Sequence, residues 1–460
     1  MNIEKRSIDF IPEEERHGRA GSLFTIWFGG NMQVTTLVAG ALSVVSGLNL
    51  FWSIIAIVLG NLVGAVFMAS HSAQGPKLGI PQMIQSRAQF GIIGAVIPLI
   101  VAIFMYIGFF ASSNVLGAQA ISSSFSIPLS LSIVIMGILA FIVAVFGYDL
   151  IHAMERYFSI LFAIVFLIVT IIAFKFSLPA GSWSLSQFNF KAFMLTVTVT
   201  ATWQIAYAPY VADYSRYLPS KTSLKKTFWY TYAGTTIGTI WMMILGCVLT
   251  LAIPKFLDNS SAGLAKLFGP NFAFIIYIVV ILGILAACVF NLYGAFMSIT
   301  TTLEPFIKLK VTAKNRFWLV FVSAVIGVAL ALWGYGGFLN HFEDLISFLS
   351  YFLVPWTAIN LIDYYFLRKG DYDIQDIFNI NGRYGALNWV TIISYLIAVL
   401  IEIPFMKTSV YTGPIATFFG GVDVSWVVGL IIPVILYYYP SKKKMSLSTY
   451  NERLESNKSL

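Results

Sequence analysis

The sequence predicts an all-α polytopic membrane protein of twelve transmembrane helices, arranged as a five-plus-five inverted repeat with two additional helices at the carboxy-terminal end. Three observations carry this: twelve apolar runs long enough to cross a bilayer, a one-sided distribution of Lys and Arg, and interruptions at corresponding places in the first and sixth runs. Hydrophobic residues make up 58% of the 460 residues and charged residues 10%, and the mean hydropathy is +0.82. Soluble domains do not have this composition, so the chain belongs in lipid.

The apolar runs are each about 20 residues, as a crossing requires, and centre near residues 35, 62, 108, 137, 166, 202, 241, 286, 325, 356, 397 and 427. Residues 1–22 form a polar, charged tail without the apolar core and cleavage site of a signal peptide, so the first span itself directs insertion. Residues 23–440 form one membrane domain. The longest connector, residues 369–388 with the turn-rich Asn379-Ile380-Asn381-Gly382, is too short to fold separately.

Of the 28 basic residues, all but Lys175, Lys191, Lys255, Lys266 and Lys407 fall on the amino-terminal tail, the even-numbered connections or the carboxy-terminal tail, residues 441–460. The positive-inside rule places both tails in the cytoplasm, and an odd number of spans would scramble the pattern; the expected location is the plasma (inner) membrane. The net charge of +8 is spread over several short loops, which fits attraction to anionic lipid and excludes a nucleic-acid footprint. No obligate protein partner is implied. Cys247 and Cys288 lie inside apolar runs as small buried hydrophobes.

Spans one to five occupy residues 23–177 and spans six to ten residues 192–367. Five is an odd number, so the two halves enter from opposite sides and the repeat is inverted. Spans eleven and twelve, residues 388–440, remain as peripheral additions. Between spans two and three, Ile80, Met83 and Ile84 recur at helical spacing among polar residues, which predicts a short interfacial helix within residues 79–91.

The interruptions are Gly29-Gly30-Asn31 in the first span and Tyr207-Ala208-Pro209 in the sixth. Backbone groups freed from a helix inside a bilayer cost several kcal/mol each unless they line a cavity or meet a ligand, so paired breaks point to a transporter's binding site. Gly29 and Gly30 let backbone approach a solute, and Asn31 and Gln33 add donors and acceptors. Close helix packing through small residues is the competing reading for the glycines. Trp203 and Tyr207, beside Gln204 and Pro209, suit a planar hydrogen-bonding solute held by ring faces, and equally suit packing.

In span three, Phe109 and Ser113 are four apart and share a face. In span eight, Asn291 is the one amide of a long apolar run, placed either for function or for interhelical hydrogen bonding. No acidic residue lies mid-membrane in spans one, three, six or eight. Asp149, Glu155, Asp213, Glu304 and Asp363 sit at span ends beside Arg156, Arg216, Lys308 and Arg368, where ion pairs are expected, and Glu402 lies inside span eleven. No metal-ligand or nucleophile–base cluster is present: His17, His71, His152 and His341 are far apart, which disfavours an enzyme.

The run Ala212-Asp213-Tyr214-Ser215-Arg216-Tyr217-Leu218-Pro219 resembles the signature of the nucleobase-cation-symport-1 family, especially its purine-cytosine permease branch. Ile3-Glu4-Lys5-Arg6-Ser7-Ile8, Ile11-Pro12-Glu13-Glu14-Glu15-Arg16, Trp27-Phe28-Gly29-Gly30-Asn31-Met32, Gln85-Ser86-Arg87-Ala88-Gln89-Phe90-Gly91, Pro355-Trp356 and Asp363-Tyr364-Tyr365 agree in order and spacing, so the resemblance covers residues 3–440.

The resemblance implies the LeuT-like five-plus-five fold and ion-coupled, alternating-access import of a nucleobase or related planar heterocycle. The substrate would sit among helices one, three, six and eight. Gly29 and Gly30 would then occupy the break in helix one, Phe109 and Ser113 the aromatic and amide positions of helix three, Trp203 or Tyr207 the aromatic of helix six, and Asn291 the amide of helix eight. Two departures matter. Helix three of the family usually has Trp followed four residues later by Gln or Asn. Sodium-coupled relatives carry Ser or Thr hydroxyls just before the helix-eight amide, where this chain has Leu285, Ala286 and Ala287. The first, Phe109 and Ser113 here, allows a smaller or differently hydrogen-bonded solute, and the second favours H+ over Na+ as the coupling ion. A same-fold carrier of an amino acid or other small zwitterion is the alternative.

Overall fold

A computed structural model of the chain describes residues 8–146, 148–307 and 312–458. The first apolar run divides into α1 (Gly21–Gly30) and α2 (Val34–Val45), whose axes meet at 64°. Then come α3 (Leu50–Ser72), α4 (Gly75–Leu78), α5 (Gln82–Phe90), α6 (Val96–Phe125), α7 (Leu129–Phe146) and α8 (Tyr148–Ala173). The sixth run divides into α9 (Phe190–Ile205) and α10 (Ala208–Ser215). Beyond it lie α11 (Leu224–Ala252), α12 (Ser260–Leu267), α13 (Pro270–Leu303), α14 (Ala313–Gly334) and α15 (Phe338–Ile362). The chain closes with α16 (Ile374–Ile377), α17 (Trp389–Glu402), α18 (Pro414–Phe418) and α19 (Ser425–Lys458).

Among the described residues, Leu50–Leu78, Val96–Phe125, Leu224–Ala252, Pro270–Leu303 and Ala313–Leu367 are continuous helical stretches long and apolar enough to cross a bilayer, and the bent α1–α2 pair adds another. Helix starts follow local chemistry. The Asn189 side chain accepts from Ala192 N to cap α9, Thr312 caps α14 through Asn315 N, and Pro270 opens α13, where a missing N–H costs nothing. Large apolar side chains such as Ile100, Leu131, Ile164, Trp318 and Val325 face outward, as a lipid-facing belt requires.

Glycines set the close approaches. Gly60 and Gly64, four apart on α3, face Val197, Thr200 and Ala201 of α9, and Gly234 and Gly238 on α11 face Phe24 and Phe28 of α1. A Cβ at any of these four positions would collide with its neighbour. Small residues at four-residue spacing let backbones meet where lipid supplies no hydrophobic drive. Each broken helix is thereby held against an unbroken one, α9 on α3 and α1 on α11.

The helix expected between spans two and three is present as α5, but it is not interfacial: every residue from Gln82 to Phe90 is buried by protein. Its polar groups, main chain and side chain, fan out to different elements. Gln82 N donates to Asp213 Oδ1 (2.7 Å), and Arg87 pairs with Glu304 of the α13 end (2.8 Å). Gln89 Nε2 donates to Asp363 (3.0 Å), and Ser86 Oγ accepts from Trp356 Nε1 (2.9 Å). Burial pulls the Arg87 guanidinium below its usual value, and the Glu304 carboxylate opposes that shift. A helix with this much polarity is tolerated inside because its polar groups are largely paired.

The expected pair Asp363–Arg368 is formed (3.1 Å), and Glu304 takes Arg87 as partner. Asp149, Glu155, Arg156 and Lys308 lie outside the residues whose side chains are described. Asp363, fully buried, also accepts from Tyr372 (2.5 Å) and from Tyr437 of α19 (2.7 Å), so the last helix is tied to the same knot as α5.

Candidate functional site

The two interruptions differ in form. At the first, the chain leaves α1 after Gly30 and re-enters helix at Val34, with Gln33 extended at φ −144°. The carbonyls left at the end of α1 are satisfied by the chain itself. Asn31 Nδ2 donates to Trp27 O (2.8 Å), Asn31 N to Phe28 O (3.3 Å), Met32 N to Gly29 O (2.9 Å), and Gln33 Nε2 to Gly30 O (2.7 Å). At the second, Ala206 and Tyr207 keep near-helical dihedrals. Pro209 has no N–H to give the Ile205 carbonyl, so the ladder lapses there without a sharp bend.

A cavity of about 1020 Å³ lies at these breaks, bounded by α1, α6, α8, α9, α11 and α13. Of the residues expected from sequence, Gly29, Gly30, Phe109, Ser113, Trp203, Tyr207 and Asn291 line it. Four helices distant in sequence thus meet at one place.

Asn31 is the exception: it stands fully buried behind the wall. Its Oδ1 accepts from both Trp203 Nε1 (3.2 Å) and Tyr207 OH (3.0 Å). One amide thereby fixes the polar atoms of two rings that line the cavity. Behind Asn31 a polar chain continues. Thr235 Oγ1 donates to Gln204 Oε1 (2.6 Å), and Gln204 Nε2 donates to Asn61 Oδ1 (2.8 Å) and Thr239 Oγ1 (3.1 Å). Such a buried network holds its members rigidly when its bonds are made.

The ring walls meet nearly at right angles. Phe109 and Trp203 are 5.7 Å apart at 83°, Trp203 and Tyr207 6.2 Å at 83°, and Trp27 and Tyr207 5.6 Å at 62°. These are favourable edge-to-face contacts. They leave a slot in which a flat solute can stack on one ring while another closes its edge. Polar reach into the cavity comes from Ser113, Gln33 and Asn291. Asn291 Nδ2 donates to Ala287 O (2.9 Å), which leaves one N–H and the carbonyl oxygen of that amide for a solute. No Asp, Glu, Lys, Arg or His lines the cavity among the described residues.

Tyr210, Tyr214, Phe290 and Trp241 also line it and were not singled out from sequence. The signal for the tyrosines was present: Tyr207, Tyr210 and Tyr214 recur at helical spacing and share a face. Trp241 had none, because it arrives from α11 to stack on Phe28 (5.9 Å, 28°). From the breaks, the cavity runs along α1 to Ser22 and past Tyr214 of α10.

The family model described as permease for cytosine/purines, uracil, thiamine, allantoin matches residues 10–429. The Bacillus subtilis (strain 168) protein YxlA, provisionally named a purine-cytosine permease, is 53% identical over 457 residues, covering 99% of this chain and 100% of the relative. The purine-cytosine permease fcyB of Emericella nidulans is 27% identical over 457 residues, covering 95% of this chain and 88% of its own. Among solved structures, Mhp1, described as a nucleobase-cation-symport-1 family transporter in a closed conformation with bromovinylhydantoin bound, superposes with a TM-score of 0.77 at 19% identity over 97% of this chain and 96% of its own. The fold, the matched family model and the close relative agree: the chain is a multi-pass membrane transporter, not an enzyme, and belongs to the nucleobase-cation-symport-1 family in its purine-cytosine permease branch.

Proposed function

We propose that the protein imports a nucleobase or related planar heterocycle, with cytosine and purines as the leading candidates, by ion-coupled alternating access. The observation that carries this reading is the uncharged slot at the helix breaks, with ring faces from Phe109, Trp203 and Tyr207 and polar groups from Gln33, Ser113 and Asn291. Stacking plus edge-on hydrogen bonding is how single bases are held. The names of fcyB, a purine-cytosine permease, and of YxlA point the same way. Carriage of an amino acid is the weaker reading, because a substrate carboxylate and ammonium would meet no charged partner in the lining.

Twelve spans with both termini cytoplasmic remain our topology. The 55-residue stretch Ala313–Leu367 supports it: at about 1.5 Å per residue it far exceeds a hydrocarbon core of about 30 Å, so it has to cross twice, turning at Tyr335-Gly336-Gly337. Each five-span half opens with an interrupted helix, which supports the inverted repeat. In this orientation the cavity extends along α1 toward its cytoplasmic end, and rocking of one helix group against the other would expose the slot alternately to each side.

For the coupling ion we favour H+ over Na+. The carbonyls at the end of α1 already accept from the Asn31 and Gln33 amides, and Leu285, Ala286 and Ala287 offer no hydroxyl. A sodium ion needs several such oxygens at once. The test is purified protein in liposomes offered labelled cytosine, adenine, hypoxanthine and allantoin under a proton or a sodium gradient separately. Accumulation of at least one base driven by the proton gradient is expected; accumulation of none overturns the substrate reading, and dependence on sodium overturns the ion.

A further inference from the structure

The strongest group unused by the transport slot is Glu402, the last residue of α17. Its side chain is fully buried, and neither carboxyl oxygen has a hydrogen-bond partner. It lies against α19 at Gly429, where a Cβ would meet Oε1 unless the carboxyl moved. The Trp426 indole N–H, one turn earlier on α19, is likewise buried and unpartnered. Close by, Asp423 has the opposite surroundings. It accepts from Tyr351 OH (2.6 Å), Lys407 N (2.8 Å), Ser425 N (2.9 Å) and Ser425 Oγ (2.6 Å). Two carboxyls within electrostatic reach of each other thus differ in surroundings, one held by four donors and one by none.

An unpaired carboxylate at this depth would carry a large desolvation cost with no opposing interaction, whereas the neutral acid carries far less. Of two carboxyls in one seam, the one without donors binds a proton more tightly. The titratable groups within electrostatic reach of Glu402 are Asp423 from the loop before α19, Tyr351 from α15 and Tyr395 from α17 itself, with Lys407 beyond Asp423. Among the described residues, no cation bonds to the Glu402 oxygens.

We propose that Glu402 is a proton-binding site reached from the outer solution, whose occupancy keeps the seam between α15, α17 and α19 closed. The step is a simple protonation: one proton converts the carboxylate to the carboxylic acid, and its loss leaves a bare negative charge that no hydrogen-bond donor meets. In the proposed orientation this end of α17 faces outward, and Lys407 and the exposed Thr408–Tyr411 loop give the proton its approach past Asp423. The readout reaches the slot through α15, which carries Tyr351 at the seam and Phe342 against Trp203 (6.3 Å). This proposal rests on the transport reading above.

The experiment measures nucleobase exchange across liposomes of equal internal and external substrate, as a function of external pH, for the wild type and Glu402→Gln. The glutamine has the shape of the protonated acid. Wild-type exchange is expected to fall by up to about tenfold per pH unit above its midpoint, as a single proton site does, while Glu402→Gln holds the low-pH rate throughout. A Glu402→Gln profile that follows the wild type overturns the proposal. Infrared difference spectra provide a readout without transport: a protonated-carboxyl band is expected in the wild type and in Asp423→Asn and absent from Glu402→Gln, and its absence from the wild type at low pH also overturns it. A wild type that exchanges no base but shows the band would sink the substrate reading and leave the proton site standing.

Discussion

At the scale of single residues, Asn31 positions the site without touching the space a solute would fill. Replacing it with Ala leaves the Trp203 indole and Tyr207 hydroxyl without an acceptor, each a loss of about 1–3 kcal/mol when buried. Asn31→Ala is therefore expected to weaken substrate binding at least about tenfold, measured as the half-saturation concentration for exchange. Tyr207→Phe keeps the ring face and loses one bond worth about 0.5–1.5 kcal/mol, so its effect stays below about tenfold. Asn291→Leu removes an amide that lines the cavity and is expected to exceed Tyr207→Phe; equal effects would mean that the helix-eight amide does not contact substrate. Gly29, Gly30 and Asn291 were legible in the sequence because each breaks an apolar pattern. The placement of Asn31 was not, since the direction of an amide depends on which ring α9 brings to it.

At the scale of elements, glycine contacts and α5 decide the geometry. Gly40 of α2 abuts the Met243 backbone of α11, with no room for a methyl group. Gly40→Ala is expected to lower the melting temperature in detergent, by an overpacking cost of about 1–3 kcal/mol; an unchanged Tm would show that α2 and α11 can separate freely. The buried Arg87 of α5 relies on Glu304 for its counter-charge. Glu304→Gln is expected to destabilise by about 1–3 kcal/mol, more than exposed ion pairs do, with Arg87→Gln/Glu304→Gln recovering part of the loss in a double-mutant cycle. The helical period of α5 was readable from Ile80, Met83 and Ile84, but its burial was not. Its polar residues suggested a water-facing side, and their partners come from four other elements.

At the scale of the whole molecule, the proposed topology places the residue 369–388 loop and the Thr408–Tyr411 loop on opposite sides of the membrane. The native cysteines, Cys247 and Cys288, are both buried, so they add little background to labelling. A cysteine at Asn381, which is exposed, should react with an impermeant maleimide only from the cytoplasmic side, and one at Ser409, also exposed, only from outside. The same accessibility at both sites would rule out the twelve-span orientation.

What the sequence determined by itself was membrane residence, the order of the apolar helices, the position of both interruptions and the family. Each depends on local pattern: run length, periodicity, charge placement and short motifs. Only the tertiary structure decided that the first break is a 64° bend and the second a lapse without one. It also decided that α5 lies inside, that Asn31 holds two rings from behind, and that Glu402 is left without a partner against Gly429. Those facts depend on which distant side chains arrive at the same place, because the environment of a polar group in a membrane is set by its neighbours in space.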